Sequence, residues 1–359
     1  MTRFEVSRKV SKVVDGNLEA DIVIGSRIRL ARNIAGLPFV DHATSDQTAH
    51  IEKVIMHEAE SLSDPTIVFY DLAGLEELER QFVLDLERVS RAVLRKDQDL
   101  SSQPKASLLS EPVVSELSVQ VNEEDHLRFS VTRNDCDLLS AWELLDRTDD
   151  RISQNIDFAF DSQRGFLTAC PANLGTGLKA SVMVHLPALA QTRQTEKVFR
   201  TLHKHGINVR GLFNDEASGN FFRVSNQLTL GLTESDLITK VLDAIPVINR
   251  FECKAREFVL DNNRDALRRD VQVAYENLGR VDVDQVREIE WANTLRELSL
   301  VRLGVALEML DMSKASQIQS MFESVQLKKR LDSAIADENY QLAAELRDRI
   351  REIGEGGQS

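Results

Sequence analysis

Cysteine is scarce in this chain. The three present, Cys136, Cys170 and Cys253, are odd in number, far apart and in no CxxC spacing, which argues against a disulfide framework and against a zinc site. Each reads as a buried apolar thiol unless its surroundings say otherwise. Proline and glycine, 7 and 16 of 359 residues, fall short of the excess that marks disordered or low-complexity chains. Positive charge is in the minority: 44 Lys and Arg against 58 Asp and Glu leave a formal net charge of −14. So acidic a chain lacks the dominant cationic surface that sequence-independent nucleic-acid binding needs. Any arginine cluster must therefore be local and have a purpose of its own. No stretch approaches the roughly 18 consecutive apolar residues of a membrane span, and the start, MTRFEVSRKVSKVVDG, has no apolar signal-peptide stretch. A cytoplasmic protein without membrane contact is expected. Also missing are the GxxxxGK[ST] phosphate loop and the HRD and DFG signatures, which sets those nucleotide-binding classes aside.

What is present is an ordinary globular make-up, 42% hydrophobic and 28% charged, long enough for two or three domains. After Thr44 and Ser45, the residues Ile51, Val54, Ile55, Ala59 and Leu62 recur at helical spacing, and Asp64-Pro65 stops the pattern. A strand is expected next, in TIVFYDL. From Glu116 the period changes to two: Leu117, Val119 and Val121 alternate with polar residues, and after NEED the alternation resumes at Leu127, Phe129 and Val131. That is the pattern of an antiparallel hairpin with an acidic turn. Further strand-like runs lie in GFLTAC, SVMVHL, INVRGLF, FFRVSN and QLTLG, so a single large antiparallel or mixed sheet is the economical reading. Near Thr233 the composition turns to Leu, Glu, Arg and Ala and predicts a helical domain. Beyond Ser324, LKKRLDSAIADENYQLAAELRDRIREI carries two apolar stripes, Leu327, Leu331, Ala334 and Ile335, then Leu342, Ala343, Leu346 and Ile350. Asp337-Glu338-Asn339 separates them, which predicts a helical hairpin too small to bury its own stripes and therefore packed on a partner. The fold class expected is α+β: residues 1–232 as a large antiparallel sheet flanked by helices, 233–324 as a helical domain, 325–353 as the hairpin and 354–359 as a disordered tail.

The chemistry concentrates in a few cations. In GSRIRLARN, Arg27 and Arg29 are two residues apart and project from one face of an extended strand. Taken alone, such a pair is more often a solvated charged face. Arg128 comes just after the acidic turn, Lys179 sits in NLGTGLKAS and Arg210 in NVRG. Each lies in a segment otherwise apolar enough to be a strand or strand end. Five cations gathered on one sheet would converge on a triphosphate, whose oxygens guanidinium forks match two at a time.

The segments GSRIRLARN, NEEDHLR, CPANLGTGLKAS, VRG and SNQLTLG, in this order, resemble the successive signatures of the phosphagen (guanidino) kinase superfamily. SVMVHLPAL and the short leader before GSRIRLARN are similar to its bacterial branch, the protein-arginine kinases. The resemblance implies MgATP as phosphoryl donor and a guanidinium as acceptor. It places Arg27, Arg29, Arg128, Lys179 and Arg210 around the ATP phosphates, with Ser26, Ala180 and Ser181 completing the nucleotide-binding set. Glu124 corresponds to the family's catalytic carboxylate, which orients a guanidinium and accepts its proton as the N–P bond forms. The bland reading, acids that solvate a turn, would win without the surrounding motifs. Glu123 is implied to hold Mg²⁺ through water. A second guanidinium-binding acid is implied in GLFNDEASGN, at Glu216 in preference to Asp215. Cys170 matches the active-site cysteine, expected as a thiolate whose pKa nearby cations lower. The chain departs from the family pattern in three places: Lys179 stands where the family has Arg, Ala172 replaces a Thr, and LDLERVSRAV lacks a His.

Members acting on free arginine or creatine carry a helical domain ahead of the SRIR motif, and here 24 residues precede Gly25. A more open pocket, able to admit an arginine on a polypeptide, is therefore expected. The terminal hairpin resembles the UVR motif, which implies a Clp-type unfoldase or another UVR-binding partner through residues 326–353 and a link to proteolytic quality control. A homodimer through the helical domain is expected. The family's phosphoarginine-sensing motif is only echoed, by Arg347-Asp348 and by Arg264-Asp265 with Arg268. Rival readings are a kinase for free arginine or another small guanidino compound, and a weakly catalytic nucleotide-binding adaptor.

Overall fold

The structure, a computed structural model, describes residues 22–61, 67–71, 106–110, 117–211, 220–278 and 288–310. Among the described residues ten strands run in chain order: β1 Val23–Arg32, β2 Ile67–Asp71, β3 Ala106–Ser110, β4 Leu117–Val121, β5 Leu127–Arg133, β6 Phe160–Asp161, β7 Gly165–Phe166, β8 Leu178–His185, β9 Ile207–Gly211 and β10 Phe221–Asn226. Eight form one sheet in the order β2-β3-β4-β5-β1-β8-β10-β9, and every neighbouring pair is antiparallel. The helices are α1 Ser45–Ser61, α2 Leu138–Ser153, α3 Pro187–Gln191, α4 Thr195–Lys204, α5 Glu234–Leu278 and α6 Glu288–Ala306.

Period-two alternation decides the two faces. Ile28 and Leu30 of β1, Leu127, Phe129 and Val131 of β5, Leu178, Val182 and Val184 of β8 and Val224 of β10 are all fully buried, in one continuous core. Helix α2 closes over them. Its N-terminus is capped by Asp137, which accepts from Ser140 N at 3.0 Å, and it buries Leu138, Ala141, Leu145, Thr148 and Ile152 at helical spacing. Arg32, on the same face as Ile28, is sealed into this layer. It pairs with Asp149 of α2 at 2.9 Å and stacks 3.5 Å from the Phe166 ring centroid, so the third arginine of the opening motif is a structural one.

The expected hairpin is present, with Leu117 opposite Val131 and Val121 opposite Leu127. TIVFYDL yields β2. Two expected strands differ. Of GFLTAC, only Gly165–Phe166 is extended, paired with β6 outside the main sheet. QLTLG is a loop, because Asn226 ends the ladder with its own amide. Its Oδ1 accepts from Ala180 N at 2.8 Å, and its Nδ2 donates to Leu178 O and Leu228 O at 3.0 and 2.9 Å. The loop then serves as a dock: Thr229 Oγ1 donates to Leu174 O at 2.7 Å and Thr229 O accepts from Thr176 N at 3.0 Å. The glycines of NLGTG make this fit possible. Gly175 and Gly177 have φ of +109° and +70°, and a Cβ on either would lie 2.5–2.6 Å from a backbone oxygen, Thr229 O or Ala31 O.

Helix α5 starts where the composition changes, yet its first turns, from Leu237 to Ile248, belong to the core of the sheet. Its regularity breaks at Asn263 (φ −139°, ψ 24°). Beyond that point Val271, Ala274 and Leu278 pack with Leu298, Val301 and Leu303 of α6 as separate clusters. Among the described residues the apolar core therefore divides within α5. The predicted hairpin at 325–353 and tail at 354–359 lie outside the described residues. Among the described residues no helix is long and apolar enough to cross a membrane.

Candidate active site

The residues that alternate with the core build the other face of the sheet. Arg27 and Arg29 are one step out of register with Ile28 and Leu30. Antiparallel pairing sets Arg29 opposite Ser130 and Lys179, and Arg27 opposite Thr132 and Ser181. Arg128 stands opposite Ala31 and Gln120. Small hydroxyls fill the space between the cations: Arg27 Nε donates to Ser130 Oγ at 2.9 Å, and Ser181 Oγ donates to Arg27 O at 3.1 Å. The segments expected to supply the cations thus converge on one surface.

Their crowding shows in their acidity. The Arg29 guanidinium is held down to about 9, first by burial and then by the charges of Arg27, Arg128 and Arg223, with Glu123 opposing. Lys179 is lowered to about 8 by burial and by Arg29 and Arg210. Its Nζ also donates to Asn226 O.

The acidic turn stands at the rim. Asn122, with φ +55°, lets β4 turn into β5, and the next two residues, both acids, meet Arg128. Glu123 pairs with Arg128 Nη1, and Glu124 Oε2 lies 3.2 Å from Arg128 Nη2. Glu123 is nearly sealed, at 6% exposure, whereas Glu124 keeps 41%; Glu124 is the acid an incoming group can reach. Asp125 and His126 hold the turn in place. Asp125 Oδ1 accepts from Asn33 Nδ2 and Ala169 N, both at 2.7 Å. His126 Nδ1 accepts from Ile34 N at 2.9 Å, and its Nε2 lies 2.8 Å from Pro38 O, while burial keeps its pKa low. Asp125 thereby ties the turn to the segment that leads into Cys170.

Cys170 lies beside Glu124, within hydrogen-bonding reach, and its thiol is pushed up by burial and then by the Glu124 charge. The expected low-pKa thiolate is not found: its immediate neighbour is a carboxylate, not a cation. Ser26 and Ala180 also differ from expectation. They share the parity of Ile28 and Val182 and are fully buried on the apolar face, so their side chains turn away from the cations; Ala180 N is occupied by Asn226. Asp215 and Glu216 lie outside the described residues. Among the described residues no group of three His, Cys, Asp or Glu gathers as a metal site.

One cation escaped the sequence reading. Arg223 of β10 shares the face, opposite Met183 of β8 and Arg210 of β9. Its parity with Ser225, one position before the Asn that ends the ladder, was the available signal.

A family model described as "ATP:guanido phosphotransferase, C-terminal catalytic domain" matches residues 50–255, and a "UvrB/uvrC motif" model matches residues 325–356. Among curated proteins, the protein-arginine kinase of Moorella thermoacetica is 39% identical over 307 residues, and that of Symbiobacterium thermophilum is 38% identical over 309. Each alignment covers 84% of this chain and 84% of the relative. Among solved structures, the duplicated taurocyamine kinase from Schistosoma mansoni with bound transition-state-analogue components superposes with a TM-score of 0.58 at 26% identity. That match covers 68% of this chain and 36% of the longer one. A lombricine kinase shares the fold with a TM-score of 0.57 at 23% identity, over 67% of this chain and 69% of its own.

Proposed function

The chain belongs to the protein-arginine kinases of the ATP:guanido phosphotransferase family, and we propose that it transfers the γ-phosphoryl group of ATP to arginine side chains of proteins. The observation that carries the reading is the crowded cation face, with Glu124 at its rim. Phosphoryl transfer asks a protein mainly to align donor and acceptor and to neutralise the oxygens of the transferring group. Arg27, Arg29, Arg128, Lys179 and Arg210 supply that charge on strands fixed by the core beneath them, so little reorganisation is needed.

The acceptor is an unreactive cation. Glu124 orients its guanidinium so that one nitrogen faces the γ-phosphorus. The N–P bond forms as the bond from phosphorus to the β,γ-bridging oxygen breaks; ADP leaves with that electron pair, and Glu124 takes the N–H proton. Glu216, or its sequence neighbour Asp215, is the second acid proposed for the guanidinium. Cys170, neutral in the unliganded site, meets the acceptor next to Glu124. The oxygen donors of Glu123 beside a polyphosphate suit Mg²⁺, which accepts few protein carboxylates and keeps several waters. Because Arg128 already engages Glu123, contact through water fits this site better than direct ligation. The ion would shield the phosphate charge.

The segment that matches the UVR model is read as a docking element for a Clp-type unfoldase, and the helical unit of α5 and α6 as the dimer contact. Both fit a role in protein quality control.

Incubation with ATP and either an unfolded arginine-rich protein or free arginine tests the main reading. Acid-labile phosphate on arginine residues of the protein is expected, located by mass spectrometry. Label on the free amino acid alone would replace this reading with that of a small-guanidine kinase.

A further inference from the structure

We propose that Arg223 is a sixth cation of the polyphosphate site, an inference that rests on the kinase reading. The sheet decides where this side chain points. On β10, Phe222 and Val224 are buried in the core at 4% and 0% exposure, so Arg223 between them must point to the opposite face. Register then sets it directly opposite Arg210 on β9 and opposite Met183 on β8. Met183 has the parity of Lys179, and Arg210 is one of the cations expected at the phosphates, so Arg223 lies on the same surface as the rest.

Two arginines directly opposite each other on adjacent antiparallel strands repel, and such like-charge pairs destabilise a sheet. Here the pair is joined to an already crowded group: Arg223 is close enough to Arg29 for its charge to be felt there. A neutral side chain at 223 would ease the repulsion and leave the packing of Phe222 and Val224 untouched. A polyanion at this end of the rows would meet Arg210 and Arg223 side by side, each phosphate oxygen accepting a charge-assisted hydrogen bond. Arg210 and Arg223 together form the flank of the site on the β9–β10 side, Arg128 the flank on the β5 side, and Arg29 and Lys179 the middle. In register Arg128 is level with Ala31, Arg29 with Lys179, and Arg223 and Arg210 with Gly25 through Met183. The cations thus follow a diagonal of the sheet, and a triphosphate bound along that diagonal meets them through side chains that lean together. The FFRVSN segment supplies this residue just ahead of the SNQLTLG motif, so a motif-based reading passes over it.

The ligand class is a nucleoside di- or triphosphate, and Arg223 binds it through the phosphates rather than the base. The test is calorimetric titration of the full-length chain with MgATP, MgADP and AMP, in wild type, Arg223→Gln and Arg223→Lys. Arg223→Gln should weaken MgATP and MgADP about tenfold, the loss of roughly one charge-assisted contact. It should change AMP less than about twofold, and Arg223→Lys, which keeps the charge without the fork, should fall between. Saturated turnover should drop less than the affinity does. If Arg223→Gln does not fold, Arg223→Met, which keeps an unbranched stem of similar reach, takes its place with the same expectation. Wild-type affinity for MgATP and MgADP in the neutral variant overturns the proposal, as does an equal loss for AMP, which would mean a general disturbance of the pocket. If the wild-type chain itself binds no MgATP, the kinase reading falls with it, so the two failures are told apart in one experiment.

Discussion

The two faces of the sheet are cut from the same strands, one residue out of step, and they obey opposite rules. On one face Ile28, Leu30, Phe129, Val131, Val182 and Val224 are fully buried, each gaining about 1.5–3 kcal/mol from leaving water. On the other, Arg27, Arg29, Arg128, Lys179, Arg210 and Arg223 crowd together, and the depressed Arg29 and Lys179 record the cost. The difference teaches how the fold reaches its function: the apolar face fixes the strands, and fixed strands hold cations at spacings they would not choose.

The comparison is broken most severely at its rim. Replacing Glu124 by Gln removes the proton acceptor and should lower the phosphoryl-transfer rate by about 10²–10⁴. Glu124 is 41% exposed and its ion pair to Arg128 is 3.2 Å long, so the melting temperature should hardly move. A rate within tenfold of wild type would deprive Glu124 of its role. The faces themselves separate next. Arg29→Gln should lower turnover about 10²–10³ while the melting temperature holds or rises, because a half-buried, repelled cation is gone. Phe129→Ala, on the opposite face of β5, should reverse the pattern: about 3–5 kcal/mol of stability is lost, while MgATP affinity of the folded fraction is kept. Denaturation paired with nucleotide titration reads both, and the contrast fails if Arg29→Gln melts well below wild type.

Much of this division was legible beforehand, since a period of two is a direct consequence of strand geometry. The alternation around Leu117–Val131 gave the hairpin and its acidic turn, and the spacing of Arg27 and Arg29 gave their shared face. The same parity shows that Ser26 and Ala180 cannot join them; belonging to a motif outweighed it. QLTLG has strand-like alternation, yet Asn226 takes the ladder bonds of β8 with its side chain and frees the chain from Gln227 onward, a choice settled by tertiary contact. The Cys170 environment was hidden for a related reason. The cations are near in sequence pattern, but the tie through Asp125 to Ala169 N brings Glu124 to the thiol. The face of Arg223 follows from parity with its neighbour Val224, which is fully buried.

The next effect is smaller and depends on pH. In the unliganded protein Lys179 titrates at about 8, lowered by burial, Arg29 and Arg210. It is charged at neutral pH and loses its proton as the pH rises through that value. Bound phosphates favour the ammonium, so its pKa rises on binding, and MgATP binding should take up a proton between about pH 7 and 9. Affinity should weaken above about pH 8, by at most roughly tenfold per pH unit. Lys179→Arg, which stays charged throughout, should flatten this limb; titration in buffers of different ionisation enthalpy counts the proton. An unchanged alkaline limb in Lys179→Arg would assign it to another group, with Arg29, at about 9, the next to examine by the same measurement.

The smallest effect lies between the two substrates. In the unliganded site Arg128 engages both Glu123 and Glu124, so the acid that should receive the acceptor is already satisfied. Phosphate oxygens compete for Arg128, and each contact it makes with them loosens its hold on Glu124. A guanidinium should then bind Glu124 more tightly once nucleotide is present. The coupling should be about fivefold, or roughly 1 kcal/mol, and linkage requires the same factor in both directions. An arginine-containing peptide titrated with and without a non-hydrolysable ATP analogue reads it, and AMP, which lacks the β- and γ-phosphates, should give none. Equal peptide affinity under all three conditions would mean that Arg128 keeps Glu124 even with nucleotide bound. Glu124 would then meet the acceptor only through the face its 41% exposure leaves open, and Arg128 would serve the acid more than the phosphate.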